Sequence, residues 1–348
     1  MASTFSRCVL FLTIALLATA VNAQTDSARL QCKKGGHFRI LMVSDLHYVA
    51  ETDQPSVALI ERLIDKENPD FVMVTGDCLS GGGNETAEQV KKAVANVSLA
   101  VEKKQVPWAM VFGNHDQEHF GKTGLDKEAV LDLYASYPHN YNKERVRGLT
   151  GGGNANLLIW DTEGKKPVFS LWLIDSGDAP PQGLPLPKGM KTDDWIRTDQ
   201  VVWYWQTSKN LEQQYDGKIP GLMFFHIPLP EFREMSLTVK IQGVRNEQEC
   251  CSKINSGMFS AVLDRGDVKG IFCGHDHENN YVGDWVGIKL GYDAVAGYKG
   301  YPHIDVDDPQ NDRYRGGRVF VIDQADPWNF KTWMRFKDGS ADPKGAEM

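Results

Sequence analysis

Three stretches, HFRILMVSDLH (37–47), FVMVTGD (71–77) and WAMVFGNHD (108–116), are nearly unbroken apolar runs that stop at polar or glycine-bearing turns. An unbroken apolar run suits a strand covered on both faces rather than one with a wet side. The segments between them carry helical spacing. Val57, Ile60, Leu63 and Ile64 fall on one face, with Pro69 just beyond the end. Val90, Val94, Val97 and Val101 do the same within Glu85–Lys104. Strand, helix, strand, helix, strand in that order predicts parallel pairing through right-handed crossovers, and so an α/β fold.

The pattern continues. PVFSLWLIDSG, GLMFFHIP, KGIFCGHDH, GIKLGYD and GGRVFVID read as further strands. Asp193–Gln213 reads as a long amphipathic helix and Ser256–Leu263 as a shorter one. The Gly/Pro-rich stretches 178–190 and 301–317 read as surface loops. No repeat and no linker divides the chain, which favours one domain, residues 37–325, built on two packed sheets. It is preceded by a polar lead-in, 24–36, and followed by a C-terminal strand and tail, 326–348.

Residues 1–23 stand apart. A lone Arg7, the apolar run CVLFLTIALLATA and the small-residue stretch Val21–Ala23 have the layout of a secretory signal peptide. The run is short of the roughly 20 apolar residues of a membrane span. The expected location is therefore extracellular, without a membrane span. In that setting Asn84 and Asn96, both in N-x-S/T tripeptides, become glycosylation acceptors. Five cysteines remain after Cys8, an odd number, and Cys32 with Cys250 or Cys251 is a possible bridge. A formal charge of −8 argues against nucleic acid as the main partner.

Five of the expected strands end in residue types that bind metals. These are Asp45 and His47; Asp77; Asn114 with His115; His226; and His275 with His277. Five of the nine histidines belong to this set. Sites in α/β sheets form beyond the carboxyl ends of strands. Carboxylates and neutral imidazoles suit Zn, Mn and Fe, and one carboxylate can bridge two ions. D-x-H and H-x-H on extended backbone send alternate side chains to the same side. Gly76, Gly113 and Gly274 permit close backbone approach where the strands stop. Asp116 and Asp276 read equally well as orienters of neighbouring imidazoles and as turn carboxylates. His119 and His303 read as solvated surface side chains, and Trp195, Trp203 and Trp205 as packing on the long helix.

The ordered set D-x-H, G-D, G-N-H-D, H, G-H-x-H resembles the calcineurin-like metallophosphoesterases. More narrowly, PWAMVFGNHD, GGGNANL, IDSGD, FFHIPLPEF, the stretch from Asn255 to Tyr281 and AVAGY are similar to the small purple-acid-phosphatase-like proteins of plants and fungi. The resemblance implies a two-sheet sandwich flanked by helices, in four layers α/β/β/α, with a dinuclear metal centre. Asp45, His47 and His277 would bind the first ion, Asp77 would bridge, and Asn114, His226 and His275 would bind the second. His115 would face the phosphate as general acid. Ser80 stands where the purple enzymes carry a tyrosine ligand, and His47 where they carry glycine; His47 then takes the place of the missing phenolate, and an obligatory Fe(III) is not implied.

The implied reaction is hydrolysis of a phosphoric monoester, on a small molecule or a protein. A hydroxide bridging two ions about 3.5–4 Å apart attacks phosphorus in line. His115 would contribute about 10²–10⁴-fold as general acid. A phosphodiesterase or nuclease on the same centre is the nearest alternative, and a catalytically silent extracellular binding protein the next.

Overall fold

The computed structural model describes residues 29–300 and 311–342. Strand β2 (His37–Val43) shows how the layers arise. Phe38, Ile40 and Met42 point to one side and Leu41 and Val43 to the other, and both sides are buried. The odd and even positions of one strand thus feed two different cores, as a period of two requires.

On one side β2 pairs in parallel with β3 (Phe71–Thr75), which pairs with β4 (Trp108–Val111). Helices α1 (Gln54–Glu67) and α2 (Ala87–Lys103) make the crossovers. Thr86 and Gln89 form a capping box that starts α2: Gln89 N donates to Thr86 Oγ1 at 3.2 Å and Thr86 N to Gln89 Oε1 at 3.0 Å. The short α3 (Phe120–Thr123) and α4 (Lys127–Ala135) follow β4.

The chain then builds a second sheet from β5 (Ala155–Trp160), β6 (Pro167–Leu173), β7 (Gly221–Phe224), β8 (Val268–Cys273), β9 (Val282–Trp285) and β10 (Ile288–Tyr292), with β1 (Leu30–Gln31) at one edge. Helices α5 (Thr198–Gln214), α6 (Pro230–Thr238) and α7 (Met258–Arg265) cover it. Finally β11 (Gly316–Asp323) returns to pair antiparallel with β2, and β12 (Lys331–Phe336) with β11. The sheet orders are β12-β11-β2-β3-β4 and β1-β5-β6-β7-β8-β10-β9. Between the two sheets lie Ile40, Met73, Leu171, Phe224, Phe272 and Phe320, among others. The helix-side cores form the outer two interfaces. This is the four-layer α/β/β/α sandwich expected from the sequence.

Two contacts join the sheets close to the strand ends that matter. Arg318, on β11, is buried and donates to Tyr292 O at 2.8 Å and Asn280 O at 2.6 Å. After β10 the chain crosses to the other sheet, and Ala296 N donates to Ser44 O at 2.9 Å.

Several expectations are corrected. The long helix begins at Thr198, not Asp193, because Ile196 is drawn into the core and the Asp194 carboxylate pairs with Arg197 at 2.6 Å. Trp195 therefore precedes the helix and Trp205 is exposed, while Trp203 packs on Trp172. Asn84 and Asn96 are buried, so neither offers an amide to a glycan. Asn84 Nδ2 donates to Ser80 O at 2.9 Å and Asn96 Nδ2 to Val49 O at 2.8 Å. Cys32, Cys78, Cys250, Cys251 and Cys273 are all free thiols, so the possible bridge from Cys32 is not formed. The segment 1–23 and His303 lie outside the described residues.

Candidate metal centre

The carboxyl ends of β2, β3, β4, β7 and β8 meet at one end of the sandwich, and each contributes side chains there. Four contributing residues, Asp45 (φ 57°), His47 (φ 50°), Asp77 (φ 46°) and His275 (φ 81°), adopt left-handed backbone. Asp and His tolerate that region better than most residues. It still costs on the order of 1–3 kcal/mol each, and such strain is typical of functional sites. Main-chain bonds hold the turns in place: His47 N donates to Asp77 O at 2.8 Å, and Asp45 N to Gly76 O at 3.1 Å. Gly113 is required by space, since a Cβ there would lie 2.2 Å from Asp77 Oδ1.

Six of the seven predicted ligands gather as two groups that share one residue. In the first, single ligand atoms of Asp45, His47, Asp77 and His277 lie within 4.8 Å of one another; in the second, those of Asp77, His226 and His275 do. His47 Nε2 is 3.2 Å from His277 Nε2 and 3.8 Å from Asp77 Oδ2. His277 Nε2 is 3.3 Å from Asp45 Oδ1. His226 Nε2 is 3.1 Å from Asp77 Oδ2, and the His226 and His275 rings stand 5.0 Å apart. Asn114 directly precedes His115, whose amide donates to Asp77 Oδ1 at 2.9 Å.

The buried atoms left without hydrogen bonds point to cations. Asn114 Oδ1 and His275 Nδ1 are buried and unpartnered, while His226 Nε2 meets the Asp77 carboxylate at 3.1 Å. Stranding a buried polar atom costs about 1–3 kcal/mol, so two stranded ligand atoms beside a shared carboxylate fit a bound ion. On the far side of its ring, His226 Nδ1 donates to Thr75 O at 2.8 Å, which fixes the tautomer and aims Nε2 at Asp77. That carbonyl left no trace in the sequence pattern.

Burial and the neighbouring carboxylates set the charge of each group in the cluster. Burial drives the imidazoles of His47 and His275 down, to about 4 and about 3, so both are neutral ligands. Burial also opposes charge on His226, yet the neighbouring Asp77 and Asp45 carboxylates overcome it and raise this group to about 10. Burial works against the Asp45 carboxylate too, but His277 and His226 outweigh it and hold it at about 2.

His115 sits at the rim, its side chain 40% exposed and its ring 5.2 Å from that of His47. Its Nδ1 is 2.7 Å from Glu118 Oε1, a partner the sequence reading did not single out. Asp116 and Asp276 prove to be turn carboxylates. Asp116 accepts from Gly113 N at 2.8 Å and Leu79 N at 2.7 Å. Asp276 accepts from Cys250 N at 3.1 Å and the Tyr292 hydroxyl at 2.7 Å. Ser176 Oγ accepts from Ile227 N at 2.9 Å and so braces the turn that carries His226. His119, expected at the surface, is buried with Nδ1 against Thr123 Oγ1 at 3.2 Å.

The chain is 31% identical to the Arabidopsis thaliana protein named "Probable inactive purple acid phosphatase 29", over 94% of this chain and 90% of the relative. It is 32% identical to "Probable inactive purple acid phosphatase 14" of the same plant, over 89% and 83%. "Phosphatase DCR2" of Saccharomyces cerevisiae is 28% identical over 74% of this chain and 47% of its own length. Among solved structures, a dimetal phosphatase from Danio rerio shares the fold with a TM-score of 0.56 at 13% identity, covering 86% of this chain and 95% of that one. The family model described as calcineurin-like phosphoesterase matches residues 38–279, a span that takes in every residue of both ligand groups, and the chain belongs to that family.

Proposed function

We propose that the protein is a secreted phosphoesterase that hydrolyses phosphoric monoesters at a two-metal centre. The observation that carries the reading is Asp77, one carboxylate common to two ligand groups, with Asn114 Oδ1 and His275 Nδ1 buried and without hydrogen-bond partners on the second group's side. Asp45, His47 and His277 would hold one ion and Asn114, His226 and His275 the other, with Asp77 between them. When bound, such a pair supplies Lewis acidity towards phosphate oxygens and lowers the pKa of water towards neutrality. The donor set of carboxylate, amide and imidazole suits Zn, Mn or Fe.

The protein's own groups do the rest. Thr75 O keeps the His226 ring aimed inward, and the Asp45 carboxylate accepts from the His275 amide at 3.3 Å, tying the turn after β8 to that after β2. His115 stands at the solvent side of the Asp77 cluster, where it can hold a proton for the departing alcohol oxygen. Monoester preference is supported by the relatives, which are named phosphatases. Secretion is supported by the layout of residues 1–23.

The word "inactive" in the names of two relatives favours one second reading, a binding protein that retains the fold without turnover. Elemental analysis with phosphate release from 4-nitrophenyl phosphate and from its bis-ester separates the possibilities. We expect two ions per chain and faster release from the monoester. A fully loaded protein that hydrolyses neither ester would overturn the enzymatic reading.

A further inference from the structure

The turn carrying His115 is built around one more side chain. Asp116 accepts amides from both Gly113 and Leu79, so the turn His115–Gln117 is fastened to the segment that follows β3. Glu118 closes the turn, its amide donating to His115 O at 3.3 Å. Its carboxylate then folds back, with Oε1 2.7 Å from His115 Nδ1. That path crosses Gly81, where a Cβ would fall 1.4 Å from Glu118 Oε2 and 3.0 Å from Glu118 Cβ. Gly81 is not in the left-handed region, so the demand there is for space alone. Lys122, four residues on, is committed to Glu85 at 2.8 Å and does not compete for the carboxylate.

An exposed pair three residues apart contributes little to stability, so the consequence of this contact is geometric. We propose that Glu118 is the positioning residue for His115: its carboxylate accepts from Nδ1–H, turns the ring, and leaves Nε2 as the nitrogen presented to the leaving oxygen of a phosphoester. The inference rests on the phosphoesterase reading and adds a residue to it. The glycine-rich turn after β3 gains a purpose as well, since a side chain at position 81 would push the carboxylate off the imidazole.

The test compares Glu118→Ala, Glu118→Gln, Gly81→Ala and, as a surface control, Lys122→Ala, all metal-loaded. An alkyl phosphate, whose alcohol needs a proton to leave, is set against 4-nitrophenyl phosphate, which does not. Binding of inorganic phosphate is measured by calorimetry in parallel. A general acid contributes about 10²–10⁴-fold, so Glu118→Ala should lower kcat on the alkyl ester about tenfold or more, with a several-fold smaller fall on the nitrophenyl ester. Phosphate should bind about tenfold more weakly as one charge-assisted hydrogen bond loses its geometry. Glu118→Gln, which keeps an acceptor oxygen, should recover part of both; Gly81→Ala should mimic Glu118→Ala; Lys122→Ala should match the parent, and metal content should stay constant throughout. Equal losses on both esters, or losses that track metal content, would overturn the proposal. Absence of turnover on every ester would instead remove the phosphoesterase reading. Phosphate affinity then decides the positioning role, and an unchanged value in Glu118→Ala refutes it.

Discussion

Metal uptake at neutral pH should expel a proton from His226. Without metal, that imidazole sits 3.1 Å from Asp77 Oδ2 and 4.0 Å from Asp45 Oδ1, and the two carboxylates raise it to about 10 against the pull of burial. An incoming cation needs the same Nε2 lone pair. At pH 7 the proton is held about three units below its release point, which weakens metal binding by on the order of 10³, or about 4 kcal/mol. The handicap shrinks tenfold for each pH unit gained. His47 and His275, held at about 4 and about 3, release nothing in this range. Calorimetric metal titrations in buffers of different ionisation enthalpy should therefore count a released proton. Apparent affinity should climb by about a decade per unit between pH 6 and 8.

Stability of the metal-free protein should move the other way. A histidine raised above its ordinary value of about 6.5 contributes stability that is complete below that pH. The contribution is lost as pH rises towards 10. The gap in Tm between loaded and metal-free protein should thus widen with pH. A flat affinity, no released proton, or a constant gap would refute the assignment of His226 as a charged partner of Asp77 that metal must displace.

Other outcomes follow from the same geometry. Gly113→Ala would place a methyl 2.2 Å from Asp77 Oδ1 and 2.3 Å from its amide nitrogen, so stability should fall by about 1–3 kcal/mol and both ions should be lost together; a normal Tm with two ions bound would contradict this. Asp77→Asn should empty both groups, whereas His226→Ala should empty chiefly the second, as read by elemental analysis. His115→Ala should keep its metal while turnover of alkyl phosphates falls by about 10²–10⁴-fold; unchanged turnover would remove His115 as the acid. Chain made in a eukaryotic secretory host should carry no glycan at Asn84 or Asn96, by intact mass, because both amides donate to backbone carbonyls inside the fold.

The ligand-bearing strand ends were legible because each is a local signal, an apolar run that stops at a glycine or a carboxylate. Pairing between β2, β3 and β4 followed from the crossover rule. What escaped the sequence is non-local. Asn84 and Asn96 satisfy a three-residue pattern, but their burial depends on Tyr48–Ala50, more than thirty positions away. His119 looks like a loop residue until α3 and its neighbours close over it. The start of α5 was misplaced because tertiary burial of Ile196 overrode a smooth helical pattern. Glu118 is one acidic residue among many, and only the empty space at Gly81 reveals where it reaches. Asp116 and Asp276 lie inside the motifs themselves, and nothing short of their backbone partners separates a turn carboxylate from an imidazole orienter.

Asp45, His47, Asp77 and Asn114 hang from one sheet, and His226, His275 and His277 from the other. The distance across the centre is therefore inherited from how thickly the sandwich is filled, by rings such as Phe272 and Phe320, 4.6 Å apart at their centroids, and by the Arg318 crosslink. Trimming one of those remote rings would let the two halves of the ligand cage creep together. Interior volume far from any ligand then becomes a dial on reactivity, and drift in ordinary packing residues can retune or silence the chemistry while every donor atom is preserved.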